Sequence, residues 1–198
     1  MNKVNSKTMD RREAVSKLLD ARDGALLVTG LGSPSYDAHA HSDSDNNYYL
    51  WGAMGGAALT GLGLAQAQRS KRVMVIAGDG EQLMAFGSLA TIAVARPTNL
   101  DIIVLDNQHY GETGMQQSHT GLGIDLAAVA GSCGFADTDC LHSIEEVDEL
   151  CITLQQTASG PRLYVLKIDA SNLPRSLPPR DATYIKTRFR KHLGLEPC

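Results

Sequence analysis

The sequence predicts an α/β fold, a doubly wound parallel sheet with helices on both faces. Apolar, β-branched runs of strand length alternate with helical patterns along the chain. Two of these runs end directly in glycine, carboxylate or amide residues, as buried parallel strands do at the edge where such sheets bind ligands. A chain of 198 residues has room for one sizeable core. We therefore expect a single domain over residues 1–198.

The first part of the chain is predicted to hold two helices, a strand, a turn and a polar loop. In chain order these are a helix over 8–22, a strand over 25–29, a turn over 30–35, a loop over 36–50 and a helix over 55–68. The loop is predicted because its residues are polar and rich in His, Asp, Asn and Tyr. The glycines Gly61 and Gly63 lie within a helical pattern, so they are interpreted as packing positions and not as a phosphate loop.

The second part alternates strands and helices until the tail. In chain order the predictions are a strand over 72–77, a helix over 81–95, a strand over 101–105, a glycine-rich loop over 111–123, a short helix from 125, a helix after 143 and a strand over 163–168. Ser143 and Glu146 match a capping box. The glycine-rich loop is expected to lie over a ligand and to order when one binds.

A Pro-rich and basic tail begins at about residue 171 and contains a basic amphipathic segment over 181–193. Two interpretations stay open for that segment. It is either a solvated terminal helix or a helix that docks onto an acidic surface of a partner subunit.

Charge and composition exclude some partners. The formal net charge of −4 gives no reason to expect nucleic acid binding. No apolar stretch of about 20 residues occurs, so we expect no membrane partner and a cytoplasmic protein. The cysteines, which form no Cys-x-x-Cys pair, are interpreted as free thiols in a reducing compartment and are Cys133, Cys140, Cys151 and Cys198.

Two strand ends carry oxygen-bearing side chains. Gly78, Asp79 and Gly80 follow the strand over 72–77, and Asn107 follows the strand over 101–105. The backbone N–H groups of a Gly-Asp-Gly turn that opens a helix are suited to an anion. Carboxylate and amide oxygens are hard ligands for a divalent cation. These residues therefore predict a site for a magnesium-bound diphosphate.

The motifs support a family resemblance. Gly78-Asp79-Gly80, followed after 25 residues by Asp106-Asn107, resembles the signature of thiamine diphosphate enzymes. The upstream run Trp51-Gly52-Ala53-Met54-Gly55 resembles the thiazolium-side motif of that superfamily. The run over 106–116 resembles the Asp-Asn-x-x-Tyr-Gly-x-Thr-Gly-x-Gln pattern of sulfopyruvate and phosphonopyruvate decarboxylases. The resemblance covers about residues 24–170 and implies the thiamine diphosphate-binding fold.

The resemblance implies the roles of particular residues toward thiamine diphosphate and Mg²⁺. The implied metal ligands are Asp79, Asn107 and the backbone carbonyl of His109. The residues expected to bind the cofactor are Gly30, Ser33, Gly52, Ala53, Met54, Gly78, Asp79, Gly80, Glu81, Asn107, His109, Tyr110 and Gly111. Many relatives have Asn where this chain has Asp106, and Asp is expected to steady the turn equally well.

The resemblance also implies a β-type subunit that needs a pyrimidine-binding α-type partner, because the catalytic Glu of the superfamily lies in the domain that this chain lacks. Self-association is expected as well. The implied reaction converts a small anionic 2-oxo acid, 3-sulfopyruvate or 3-phosphonopyruvate, to an aldehyde and CO₂. Among the histidines that could handle protons or an anionic substrate (His39, His41, His109 and His119), His119 is the first candidate for a catalytic role.

Three alternatives stay open. A 2-oxoacid:ferredoxin oxidoreductase β subunit would need clustered cysteines, which this sequence lacks. An acetolactate-synthase-like carboligase is normally one much longer chain. A non-catalytic cofactor-binding subunit would assemble with a partner but would keep the partner's activity when Asp79 is replaced.

Overall fold

The computed structural model describes residues 9–196 and is built on a six-stranded parallel sheet. The strands are β1 (Leu26–Thr29), β2 (Asn47–Tyr49), β3 (Val73–Gly78), β4 (Leu100–Asp106), β5 (His109–Tyr110), β6 (Gln116–Gln117), β7 (Asp137–Leu141) and β8 (Arg162–Lys167). The large sheet has the order β2-β1-β3-β4-β8-β7, and all its neighbouring strands run parallel. Strands β5 and β6 form a separate antiparallel pair. The predicted doubly wound sheet is confirmed.

Helices cover both faces of this sheet. They are α1 (Arg11–Asp20), α2 (Ser33–His41), α3 (Ala57–Ala67), α4 (Asp79–Met84), α5 (Ser88–Ala95), α6 (Leu126–Cys133), α7 (Ile144–Leu154) and α8 (Ala182–His192). Alternate residues of each buried strand face opposite cores, as the two-residue period of a strand requires. In β3, Val73 and Val75 join the core under α3, α5 and α6, whereas Met74 and Ile76 join the core under α1 and α7.

The chain reverses its winding direction between β1 and β3. From β1 it leads outward to β2, and from β3 it leads to β4 on the other side. In open α/β sheets, a crevice forms outside the carboxyl ends of the strands at such a point. The turn at Gly30 and the Gly78-Asp79 pair flank this crevice, and the N–H of Gly30 donates to the carbonyl of Ile76 at 2.8 Å. The topology thus brings the two predicted ligand turns together.

The predicted loop over 36–50 is wrong, because this stretch contains most of α2 and all of β2. Gly32 turns the chain at φ 82°, and the proline at position 34 fits the first turn of the helix. Two polar residues of α2, Ser35 and Asp37, are buried, and Asp37 accepts hydrogen bonds from Arg11 and Arg12. The polar composition of this stretch therefore led to the wrong prediction of a loop where the chain forms a packed helix.

One other prediction is corrected. The single helix predicted over 81–95 is two helices, α4 and α5, separated at residues 85–87. The predicted glycine-rich loop over 111–123 contains β6 and a short 3₁₀ helix, His119–Leu122, and its ordering by a ligand stays a prediction. The capping box of Ser143 and Glu146 is confirmed at the start of α7.

The tail folds back onto its own chain. Ile185 and Phe189 of α8 are buried, and the Phe189 ring lies 5.5 Å from the Tyr48 ring. The guanidinium of Arg188 donates to both carboxylate oxygens of Asp43, at 2.7 and 2.8 Å. A solvated terminal helix is therefore the wrong interpretation, and docking of the exposed side of α8 onto a partner stays a prediction.

Cys133, Cys140 and Cys151 are free thiols. Cys198 lies outside the described residues. Among residues 9–196, no helix is both long and apolar enough to cross a membrane.

Candidate functional site

A cavity of about 190 Å³ opens at the crevice, and ten of the thirteen expected cofactor-binding residues line it. These ten are Ser33, Met54, Gly78, Asp79, Gly80, Glu81, Asn107, His109, Tyr110 and Gly111. The other three, Gly30, Gly52 and Ala53, do not line the cavity but lie in turns that lead to it. The structure thus gathers residues from four separate segments of the chain at one place.

Asp79 is buried at the base of this cavity, at the first position of α4. The hydroxyl of Ser118 donates to its Oδ2 atom, and the single proton of the Thr120 hydroxyl is divided between this oxygen at 3.2 Å and the Oδ1 atom of Asp106 at 2.7 Å. Neither contact occupies Oδ1 of Asp79. Sequence reasoning missed both hydroxyl residues, which lie 39 and 41 positions away in the chain. Ser118 is therefore the main constraint on the rotation of the carboxylate, and Thr120 adds a weaker one.

The electrostatics around Asp79 favour a cation. Burial raises the pKa of Asp79 to about 6, and the nearby charge of Asp106 also raises it, whereas the bonds from Ser118 and Thr120 lower it. No lysine, arginine or histidine forms an ion pair with Asp79 among residues 9–196. A buried and unpaired carboxylate is costly, and a divalent cation would relieve that cost. The residues present therefore fit a metal ion.

The turn after β4 is held by Asp106. Its Oδ1 atom accepts from the N–H of Gln108 at 2.9 Å and from the hydroxyl of Thr120 at 2.7 Å, and its Oδ2 atom pairs with Lys167. The prediction that Asp steadies this turn is thus confirmed. Asn107 lines the cavity, and its Oδ1 atom accepts from the N–H of His109 at 2.9 Å.

Among residues 9–196, no group of three His, Cys, Asp or Glu side chains could hold a metal. A cation at the crevice would therefore depend on one carboxylate, one amide oxygen, one backbone carbonyl and oxygens of its ligand. That donor set is typical of Mg²⁺ bound together with a phosphate group.

The side chain of Glu81 connects the turns around the cavity. Its Oε1 atom accepts from the N–H of Ala57, the first residue of α3, at 3.3 Å. A Cβ atom on Gly30 would lie 1.6 Å from the Glu81 carboxylate, so a side chain at Gly30 would displace that carboxylate. Burial raises the pKa of Glu81 to about 7, while the amides of Ala57 and Gly55 lower it. Sequence reasoning assigned Glu81 a backbone role and missed this contact.

Two glycines near the cavity have structural reasons to lack a side chain. A Cβ atom at Gly80 would lie 2.6 Å from the ring of Tyr110, so the close packing of this ring requires the missing side chain. Gly52 adopts φ 72°, a left-handed conformation that favours glycine. Gly80 thus allows the position of the Tyr110 ring, and Gly52 shapes the turn that precedes Met54.

The structure does not place His119 in the main cavity. It is exposed and lines a neighbouring cavity with Met84 and Phe86, while Tyr110 lines both cavities. The Nδ1 atom of His119 lies 3.4 Å from the Tyr110 hydroxyl. His39 and His41 make hydrogen bonds elsewhere, with Ser176 and Ser16, and are outside the cavity.

The fold and the crevice indicate a cofactor domain, and the comparison with protein families identifies it. Residues 30–168 match the family described as thiamine pyrophosphate enzyme, C-terminal TPP binding domain. Since the match covers more than half of the chain, the protein belongs to the thiamine pyrophosphate enzymes. Thiamine pyrophosphate is another name for the thiamine diphosphate that the motifs predict.

Among curated proteins, the chain is similar to two named decarboxylases. It is 35% identical over 185 residues to the sulfopyruvate decarboxylase subunit beta of Methanothermobacter thermautotrophicus, which covers 93% of this chain and 96% of the relative. It is also 35% identical over 178 residues to the phosphonopyruvate decarboxylase of Streptomyces viridochromogenes, which covers 89% of this chain but 44% of that relative.

The solved structures show the same fold. A thiamin diphosphate-dependent enzyme of Mycobacterium smegmatis superposes with a TM-score of 0.69 at 20% sequence identity, over 82% of this chain. The benzoylformate decarboxylase of Polynucleobacter necessarius gives a TM-score of 0.65 at 18% identity. This chain spans about a third of each of those chains, 32% and 34% respectively.

Proposed function

We propose that this chain is the β-type subunit of a thiamine diphosphate- and Mg²⁺-dependent decarboxylase. Its substrate would be 3-sulfopyruvate or 3-phosphonopyruvate, and its products the corresponding aldehyde and CO₂. One observation carries the proposal: Asp79 and Asn107, at the tips of adjacent strands, line one cavity together with Met54. The similarity to named sulfopyruvate and phosphonopyruvate decarboxylases supports the substrate class.

Specific residues would hold the cofactor. The carboxylate of Asp79, the Oδ1 atom of Asn107 and the carbonyl of His109 would bind Mg²⁺, and the N–H groups of Gly80 and Glu81 would bind the diphosphate. Met54 would support the cofactor from its apolar side. When bound, thiamine diphosphate supplies a carbon nucleophile for the ketone and accepts the electron pair as CO₂ leaves.

The other residues of the site position and enclose these groups. Ser118 and Thr120 fix the Asp79 carboxylate, so the metal-binding oxygen is oriented before a cation arrives. The ring of Tyr110 packs on Gly80 and lines the same cavity, so it forms part of the wall beside this turn. His119, which lines the neighbouring cavity and lies 3.4 Å from the Tyr110 hydroxyl, is the candidate for proton handling.

We propose that a pyrimidine-binding α-type subunit completes the active site by supplying the catalytic Glu. The name of the Methanothermobacter relative, a subunit beta, supports a two-subunit arrangement. The sulfopyruvate decarboxylase of Methanosarcina acetivorans, of which this chain matches 48%, supports a fused form of the same arrangement.

The test is decarboxylation by the assembled protein. The chain would be co-purified with a pyrimidine-binding subunit and supplied with thiamine diphosphate, Mg²⁺ and each 2-oxo acid, and CO₂ release would be measured. We expect release from one or both acids, and a loss of at least about 100-fold on Asp79→Asn, since a carboxylate ligand is removed. Glu149→Gln, at an exposed acid of α7, is the matched control and should keep full activity.

Other outcomes separate the alternatives. Absence of CO₂ release from both acids would contradict the decarboxylase assignment. A product that joins two 2-oxo acid molecules would identify a carboligase instead. Full activity of the Asp79→Asn complex would show that this chain is a non-catalytic subunit.

A further inference from the structure

The cavity contains one cationic side chain that no motif predicts. Among the residues that line it, Arg11 is the only lysine or arginine. Arg11 belongs to α1, which is far in sequence from the glycine and aspartate motifs, and is 6% exposed. A buried guanidinium at a ligand cavity is a strong anion-binding group, because its N–H groups match the oxygens of a phosphate in pairs.

A buried carboxylate fixes the orientation of this guanidinium. Asp37, which is fully buried, accepts from the Nε atom of Arg11, so the terminal nitrogens of Arg11 are not used in that bond. The same carboxylate accepts from Arg12 at 3.1 Å. Two guanidinium groups share one carboxylate, and this group of three side chains therefore keeps a net charge of +1.

Arg12 is the natural comparison for Arg11. It makes the same ion pair with Asp37 but donates its Nη2 atom to the carbonyl of Pro174 in the tail, at 2.8 Å. It lines only a smaller adjoining cavity and not the main one. Arg11 and Arg12 therefore share Asp37 as their carboxylate partner, but only Arg11 lines the main cavity.

The position of Arg11 indicates which part of a ligand it would meet. The smaller cavity shares Arg11, Ser33, Asn107, Gly111 and Glu112 with the main cavity but is not lined by Met54. The carboxylate of Glu112 is paired with the guanidinium of Arg175. Arg11 thus lies toward the end of the main cavity that is away from Met54. The end away from the thiazolium side is where the outer phosphate of a diphosphate would extend.

We propose that Arg11 is a diphosphate-binding residue, which contacts the outer phosphate of thiamine diphosphate and is held in place by Asp37. The inference rests on the proposed function and adds a residue from outside the family motifs. A diphosphate with one divalent cation keeps excess negative charge, and Asp79 adds more. One guanidinium would offset part of this excess.

The test measures cofactor binding, and not activity, by the full-length chain assembled with its pyrimidine-binding subunit. Isothermal titration calorimetry with Mg²⁺ would compare thiamine diphosphate and thiamine monophosphate on the wild type, Arg11→Gln, Arg11→Lys and Arg12→Gln. We expect Arg11→Gln to weaken thiamine diphosphate binding by about 10- to 100-fold, the effect of losing a charged hydrogen bond. Monophosphate binding should change by less than about threefold, because the outer phosphate is absent.

The two other variants separate a binding role from a folding defect. Arg11→Lys should recover part of the affinity, because it keeps the charge. Arg12→Gln should bind within about threefold of the wild type, although it disturbs the same carboxylate. Unchanged affinity in Arg11→Gln, an equal loss in Arg12→Gln, or an equal loss for both ligands would overturn the inference. Absence of binding of either ligand by the wild type would overturn the proposed function as well.

Discussion

At the scale of single residues, Asp106 shows how one carboxylate holds two segments of the chain together. The structure gives both of its oxygens a partner. One oxygen accepts a backbone N–H, as an Asn oxygen would, whereas the other pairs with the ammonium of Lys167. An amide nitrogen could not accept that proton. An Asn at this position would therefore lose the pairing with Lys167 on the neighbouring strand β8.

The residues of the site differ in how far the sequence could predict them. Asp79 and Asn107 were predictable, because each directly follows a buried strand in a recognisable local pattern. Ser118, Thr120 and Arg11 were not, since each reaches the site only through contacts that are distant in sequence. A Ser or Arg without a local pattern carries no signal of such a role.

A matched pair of glycines tests the packing of α3 on the sheet. A Cβ atom at Gly61 would lie 2.3 Å from the Cγ2 atom of the buried Val75, whereas Gly63 has nothing within 4 Å. We expect Gly61→Ala to lower the free energy of unfolding by about 1–3 kcal/mol through overpacking. Gly63→Ala should raise it by about 0.5–1 kcal/mol through helix propensity. Urea denaturation measures both, and equal effects would contradict the packing interpretation.

At the scale of elements, burial decided which predictions succeeded. Strands β3, β4 and β8 are almost wholly buried and appear in the sequence as apolar runs. The two edge strands, β2 and β7, were missed, because their residues are largely polar and only one of the five residues of β7 is buried. An edge strand is defined by backbone pairing on one side, and its composition carries little of that information.

The packing of α8 on the rest of the chain includes the ion pair between Arg188 and Asp43. This ion pair makes the free energy of unfolding depend on pH. Burial raises the pKa of Asp43, but hydrogen bonds from Arg188 and Tyr49 outweigh this, so the pKa lies below its ordinary value. The stabilisation is therefore present above the unfolded pKa of about 3.9 and is lost as the pH falls through the lower folded pKa. Asp43→Asn should cost about 1–2 kcal/mol at pH 7, since Arg188 is left buried without its partner.

Chemical denaturation at pH 7 and below pH 4 measures this cost. The difference between the wild type and Asp43→Asn should shrink in acid. Asp148→Asn is the control, because its pair with Lys17 is more exposed, with 56% of the Asp148 side chain accessible. It should change stability by less than about 0.5 kcal/mol. A pH-independent cost of Asp43→Asn would show that the charge is not responsible.

At the scale of the whole molecule, the topology was predictable and the wrapping of the tail was not. Alternating strands and helices allow few arrangements other than a doubly wound sheet, so the crevice followed from the pattern of elements. The tail has no such rule, because its Pro-rich segment forms no regular structure before α8. Its position is set by individual contacts with α2, the Trp51 turn and β2.

Ligand binding should stabilise the whole molecule. Thiamine diphosphate with Mg²⁺ at about 100 times its dissociation constant contributes about 2.7 kcal/mol, or about 5–10 °C in Tm for a chain of this size. Asp79→Asn should abolish this shift and leave the ligand-free Tm no lower, because Ser118 and Thr120 keep an acceptor and a buried charge is removed. Differential scanning calorimetry measures both effects. An undiminished shift in Asp79→Asn would place the cation elsewhere.

The hydrogen bond from the Trp51 indole to the carbonyl of Pro179, at 2.8 Å, has a practical consequence. Trp51 is the only tryptophan in the chain, and the guanidinium of Arg180 lies 5.5 Å from the centre of its ring. Its fluorescence therefore reports on a single junction, where residues from the last quarter of the chain meet the turn that precedes Met54. Shortening the chain from its C-terminus would change that emission and alter the turn itself, so a trimmed protein is a poor substitute for the full one in spectroscopic work.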